Sequence, residues 1–254
     1  MKKHILLILI YLFPLFIKAQ DSIVVIVPEK KNEAKFPYKQ LIVPTGLIAA
    51  GIVLKIPSVQ ENVQRNTRGV FGEKFKIQID NYTQYFPAVL TFTGNYLGFQ
   101  SQHNYRQMAT NIAVSSLITG SLILVSKKGF GNLRPDQSSR TSYPSGHSAL
   151  AFNLATIQFL EYKDSNIWYA SSGYLFAATT AVLRVANNRH WSGDVITGAG
   201  LGIAVGVLVN YWSPFSKLNS DKVSGKKFSV TGYPMIDQNA YGVGVLININ
   251  NPKL

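Results

Sequence analysis

Residues 108–126 read MATNIAVSSLITGSLILVS and run directly into KKGFGNLRP at residues 127–135. A stretch this long without a charge is too uniformly apolar for a strand, so it predicts a helix near the roughly 20 residues that cross a bilayer. Two lysines end it, and Arg134-Pro135 follow. Working outward, residues 168–186 and 195–212 form equally apolar runs. Residues 148–160 are apolar around Asn153 and Gln158. Residues 86–99 are a weaker run carrying Thr and Asn, and residues 41–56 are broken by Pro44, Gly46 and Gly51. Gly198, Gly200, Gly202 and Gly206 have the small-residue spacing of closely packed helices. The expected fold class is all-α, a membrane-embedded helical bundle. A soluble bundle with a fully buried core is the competing reading, and the mean hydropathy of +0.09 keeps it open. The polar ends of the chain lower that average.

The ends differ in character. Lys2 and Lys3, the apolar residues 5–17 and Ala19 make the pattern of a secretory signal peptide over residues 1–20; an uncleaved anchor is the alternative. Residues 21–40 read as a Lys-rich polar arm, 41–213 as the helical catalytic domain, and 59–80 within it as a charged connector. In the tail, residues 214–254, apolar and small or polar residues alternate from Tyr241 to Asn250, which is a strand period. Residues 228–233 are its expected hairpin partner.

Lys+Arg 25 against Asp+Glu 12 gives a net charge of +13, which favours anionic partners. No basic run interleaves with aromatics as a nucleic-acid surface would require, so no nucleic acid is expected. The chain has no cysteine, which excludes disulfides, thiol catalysis and Cys-bound zinc.

Three patches carry chemistry: Lys127 to Pro135, Tyr143 to Ser148 (YPSGHS), and Arg184 to Asp194 (RVANNRHWSGD). His190 and Asp194 are four residues apart. On one helical face or across a first turn, the carboxylate orients the imidazole and leaves its other nitrogen free to attack phosphorus. The competing reading makes Asp194 a helix cap beside a surface histidine. His147 follows Pro144-Ser145-Gly146 and precedes an apolar run. At a helix start, the Gly146 and His147 amides would face an anion, and His147 could protonate a leaving oxygen. Ser145 either contacts the anion or caps the helix. Lys127, Arg134 and Arg184 would clamp a phosphoryl group, the arginines bidentately; Lys127 and Lys128 also fit interfacial lysines ending a membrane helix. Arg140 and Arg189 read as solvated loop or headgroup charges, and His103 as a solvated loop residue. No HExxH or acidic cluster offers a metal site, so neither metal nor cofactor is expected.

In order and spacing, Lys127-x6-Arg134-Pro135, Pro144-Ser145-Gly146-His147 and Arg184-x5-His190-x3-Asp194 resemble the signature of the type 2 phosphatidic acid phosphatase (PAP2) superfamily. The resemblance covers about residues 108–212. Leu183 stands where the family often has a serine, which removes a hydroxyl but no charge. The resemblance implies a metal-free phosphatase working through phosphohistidine. It further implies a phosphorylated lipid substrate (lipid A, phosphatidate, phosphatidylglycerol phosphate or undecaprenyl diphosphate) and a bacterial inner membrane with the site facing the periplasm. With a cleaved signal, that orientation requires residues 41–56 to lie at the interface rather than cross. A soluble periplasmic acid phosphatase, a vanadium haloperoxidase and an inactive membrane scaffold are the alternatives.

Overall fold

The computed structural model describes residues 36–216, 227–237 and 240–250. The expected signal peptide lies outside the described residues, as does most of the polar arm. A short 3-10 turn at Tyr38–Leu41 leads into α1 (Ile42–Val53), followed by α2 (Pro57–Phe71), α3 (Asp80–Thr83), α4 (Phe86–Thr93), α5 (Tyr105–Phe130), α6 (Gly146–Tyr162), α7 (Ile167–Ala186) and α8 (Ser192–Trp212). Strands β1 (Lys227–Asp237) and β2 (Ala240–Asn250) form an antiparallel hairpin in which Phe228 pairs with Ile249 and Val230 with Ile247.

Local chemistry sets the helix ends. Asn104 caps α5 by accepting a hydrogen bond from the Gln107 amide. Gly131, at φ 57°, closes α5 in the left-handed conformation that glycine adopts freely, and Lys127 and Lys128 lie in its last turn. Asn166 caps α7 through the Tyr169 amide. Between α1 and α2 the chain bends by 95°, and Pro57 restarts the helix at a position where its missing N–H costs nothing.

α5 and α8 are long and apolar enough to cross a membrane. At about 1.5 Å per residue, the 21 residues of α8 span roughly the hydrocarbon thickness. Leu117, Leu124 and Val125 of α5 are 63–72 % exposed, an outward apolar surface suited to lipid. α6 is the central helix, and Tyr162, Leu154, Ile157 and Gln158 are completely enclosed.

Glycines on α8 permit its close approach to two neighbours. A Cβ on Gly202 would collide with the Ala149 carbonyl of α6, and one on Gly206 would press on Thr156. On another face, Gly200 lies against Pro44 and Ile48, and Gly51 of α1 meets Thr197 and Gly193. Phe36 packs edge-on against Tyr211, and Lys55 pairs with Asp194. Residues 36–55 therefore run antiparallel along the whole of α8. Gly51, which looks like a helix breaker in residues 41–56, is the contact that lets α1 pack lengthwise on α8.

The next segment runs back down the bundle. Asp80 and Asn81 touch Arg184 and His147, Gly94 abuts Tyr162, and the Gln102 amide donates to the Glu161 carbonyl. α5, α6, α7 and α8 then alternate in direction, bringing the ends of α5 and α7 and the starts of α6 and α8 to one face.

Candidate active site

At that face α5 ends, and the Lys127 ammonium donates to the Thr141 carbonyl at 2.7 Å. The following loop folds back on itself. The Arg134 amide donates to the Ser139 carbonyl, Arg134 Nη2 reaches Thr141 Oγ1 at 3.4 Å, and Trp191 Nε1 holds the Leu133 carbonyl at 3.0 Å. Ser145 then starts α6. Its hydroxyl, fully buried, accepts from the Ser148 amide and bonds the Ser148 hydroxyl at 3.2 Å. Ser145 thus caps α6. Gly146 and His147 are the first two helical residues, with their amides among the unsatisfied donors of a helix start.

The third patch bridges α7 and α8. Arg184 is in the last turn of α7 and only 8 % exposed. Its carbonyl accepts from the amides of both Arg189 and His190, a tight turn in which Asn188 has φ 60°. His190 is 1 % exposed and Asp194 fully buried. The two sequence readings of Asp194 are compatible. As the third residue of α8 it accepts from the Trp191 amide at 3.1 Å, as a cap would, while its Oδ2 lies 3.8 Å from His190 Nδ1. That separation is an ion-pair distance, longer than a hydrogen bond. Ser142 also donates to Oδ2, and Lys55 Nζ lies 3.5 Å from Oδ1. Burial holds the His190 imidazole below its ordinary pKa; Asp194 opposes that shift and Arg184 adds to it. That direction favours the neutral ring, the form a nucleophile needs.

Lys127 holds the Thr141 carbonyl, the Ser142 hydroxyl and Ser145 amide both reach Asp194, and Asn81 and its neighbour Asp80 link His147 to Arg184. The three patches, separate in sequence, thus converge. Arg134 Nε, Arg184 Nε and His190 Nδ1 are buried without hydrogen-bond partners among the described residues. Unsatisfied buried donors of this kind are costly and need an explanation.

Four contributors have no signature in the sequence. Lys55, at the α1–α2 bend, also sits 4.2 Å over the Tyr143 ring. Ser142 fixes Asp194. Asp80 Oδ2 accepts from Arg184 Nη1 at 2.8 Å, with both side chains buried. Asn81 Oδ1 faces His147 Nε2 at 3.0 Å. Two of these four come from or border residues 59–80, which read as a connector. In that segment Gln64 donates to Asn188 and to the Val185 carbonyl, and Arg68 to the Ala186 carbonyl. It buttresses the third patch. The only advance signal was amphipathic: α2 has polar residues placed to bind exposed backbone.

Other expectations shift. Arg189 is not a simple solvated charge; it pairs with Asp136 at 3.0 Å. His103 is not solvated either. Its Nδ1 lies 2.8 Å from Glu161, a fully buried carboxylate at the opposite end of α6, and that contact raises the His103 pKa despite burial.

Residues 104–217 match the sequence model of the PAP2 superfamily. The match takes in somewhat under half of the chain. The chain is 36 % identical over 167 residues to a lipid A 1-phosphatase of Porphyromonas gingivalis, a match covering 65 % of this chain and 37 % of that protein. It is 24 % identical over 161 residues to a PA-phosphatase related-family protein of Dictyostelium discoideum, covering 54 % of this chain and 59 % of the other. The chain thus spans just over a third of the first relative and under two thirds of the second. The crystal structure of Aquifex aeolicus LpxE aligns with a TM-score of 0.44 and 18 % identity, covering 57 % of this chain and 93 % of that one. The PAP2 segment contains all three patches. Residues 36–103, which carry Lys55, Asp80 and Asn81, precede it.

Proposed function

We propose that this PAP2 protein is a membrane phosphatase that removes phosphate from a lipid through a phosphohistidine. The observation that carries this reading is the convergence of His190–Asp194, His147, Lys127, Arg134 and Arg184 at one rim of an apolar bundle, around buried donors that lack acceptors. Lys127, Arg134 and Arg184 hold the phosphoryl oxygens and offset the charge that spreads over them in the transition state. Asp194 faces Nδ1 of His190, so Nε2 attacks phosphorus. The P–O bond to the lipid breaks as the N–P bond forms, and His147 gives its proton to the departing oxygen. Water then cleaves the N–P bond with His147 as base, releasing phosphate and regenerating neutral His190.

The named activity of the P. gingivalis relative supports lipid A as the first substrate to try. Phosphatidate, phosphatidylglycerol phosphate and undecaprenyl diphosphate share the recognised group. We place the protein in a bacterial inner membrane with the site on the periplasmic face. Phosphate release from these lipids and from an aryl phosphate, measured in detergent with EDTA present, tests the reading. Wild type should release phosphate from at least one lipid and form an acid-labile, base-stable phosphoenzyme. His190→Ala should fold, form no phosphoenzyme and lose at least about 10³-fold in rate. An active His190→Ala, or activity lost to EDTA, would overturn the mechanism.

A further inference from the structure

We propose that Asn81 is a positioning residue that fixes the tautomer of His147 and so makes it the acid of the reaction, an inference that rests on the phosphatase reading above. Asn81 belongs to α3, outside the three patches, and its side-chain oxygen faces His147 Nε2 at 3.0 Å. An amide oxygen can only accept, so Nε2 must carry hydrogen in both charge states of the ring. The nitrogen whose proton comes and goes is then Nδ1. When the imidazolium gives its Nδ1 proton to the leaving oxygen, the ring is left as the Nε2–H tautomer, which is the one already bonded to Asn81. No reorientation is needed between the two steps.

The placement of Asn81 is not incidental. Asp80 is clamped to Arg184 at 2.8 Å, and the Thr83 and Thr180 hydroxyls meet at 2.7 Å. Asn187 bonds both the amide and the carbonyl of Ile77, and Gln84 donates to the Asn81 carbonyl. The third patch thus holds the turn that reaches across to the second. Asn81 itself is exposed, so water would satisfy its amide equally well; the fold does not need this bond. The choice of an amide also has a chemical sense. His190 faces a carboxylate, which favours its positive charge as it becomes a phosphohistidine. A carboxylate facing His147 would hold the proton too tightly for an acid, whereas a neutral amide orients the ring without that effect. The titratable and charged groups facing His147 are Arg184, Asp80, His190 and Lys127, and all remain in Asn81 variants.

The test compares leaving groups. For a lipid phosphate, whose alkoxide leaves only when protonated, Asn81→Ala should lower kcat by about 10- to 100-fold with KM within about twofold of wild type. For p-nitrophenyl phosphate, whose phenolate needs no proton, the loss should be less than about threefold. Asn81→Asp should move the alkaline limb of kcat/KM to higher pH. A readout independent of turnover is the ¹⁵N spectrum of histidine-labelled protein in detergent: Nε2 of His147 should be protonated in wild type and lose that preference in Asn81→Ala. Equal losses on both substrates, an unmoved alkaline limb, or a bare Nε2 in wild type would each overturn the proposal. Wild type inactive on every phosphate but with His147 in the Nε2–H form would instead sink the phosphatase reading.

Discussion

The two site histidines are tuned by different neighbours. His190 is enclosed, and burial outweighs the Asp194 carboxylate 3.8 Å away, so its pKa lies below 6.5. A lowered histidine pKa extends the neutral form to lower pH, so the proposed nucleophile persists into mild acid. The acid limb of kcat/KM should therefore fall below pH 6.5, and a pH–rate profile on any accepted phosphate measures it. Asp194→Asn should leave the Trp191 amide capped but remove the charge, with an expected loss of roughly 10²–10⁴-fold in kcat, smaller than that of His190→Ala. Most of these groups were legible in the sequence because phosphoryl chemistry demands particular residue types at particular spacings. Asn81 and Lys55 were not: an asparagine in a connector and a lysine after an apolar run acquire meaning only from what stands opposite them.

At the scale of elements, α8 shows how small residues set the site. Ser145 donates its amide to the Asp194 carbonyl at 3.0 Å, which joins the start of α6 to that of α8. This contact needs the helices nearly touching, as Gly198 and Gly202 permit. Gly202→Ala should push α6 and α8 apart and cost about 1–3 kcal/mol, read as a lower thermal midpoint in detergent. Gly120 on α5 has open space where a Cβ would go. Gly120→Ala should raise the midpoint, since alanine is favoured over glycine within a helix by about 1 kcal/mol. The opposite result at either position would refute this account of the packing. The glycine spacing announced a close contact but did not divide the partners: Gly202 and Gly206 serve α6, whereas Gly200 serves α1.

For the whole molecule, the consequence is one of sidedness. Residues 36–55, 80–102 and 105–130 each run the length of the bundle before the first patch is reached. Three passes put residue 36 on the face opposite the site. If each of these passes crosses the membrane, the proposed periplasmic site puts residue 36 on the cytoplasmic side. Because the chain has no cysteine, single cysteines report sidedness directly. With a periplasmic site, Gly72→Cys should react with an impermeant maleimide in cells with a permeabilised outer membrane, and Asp164→Cys should react only after lysis. The reverse pattern would turn the site to the cytoplasm, and labelling of both would contradict the pass count.

What the chain alone determined is its helical, lipid-compatible character and the candidate phosphate-handling residues, since both follow from local properties: hydrophobic run length for the first, residue type and short spacing for the second. The hairpin period in the tail was visible on the same grounds. Only the tertiary structure decided that residues 41–56 pass along α8, that Ser145 is a cap, that His103 answers a buried glutamate, and that the stretch before α4 supplies Asp80 and Asn81. Each of these depends on a partner 58 or more residues away or, for Ser145, on the Ser148 amide from which its hydroxyl accepts. Distance in sequence carries no record of such meetings; packing creates them.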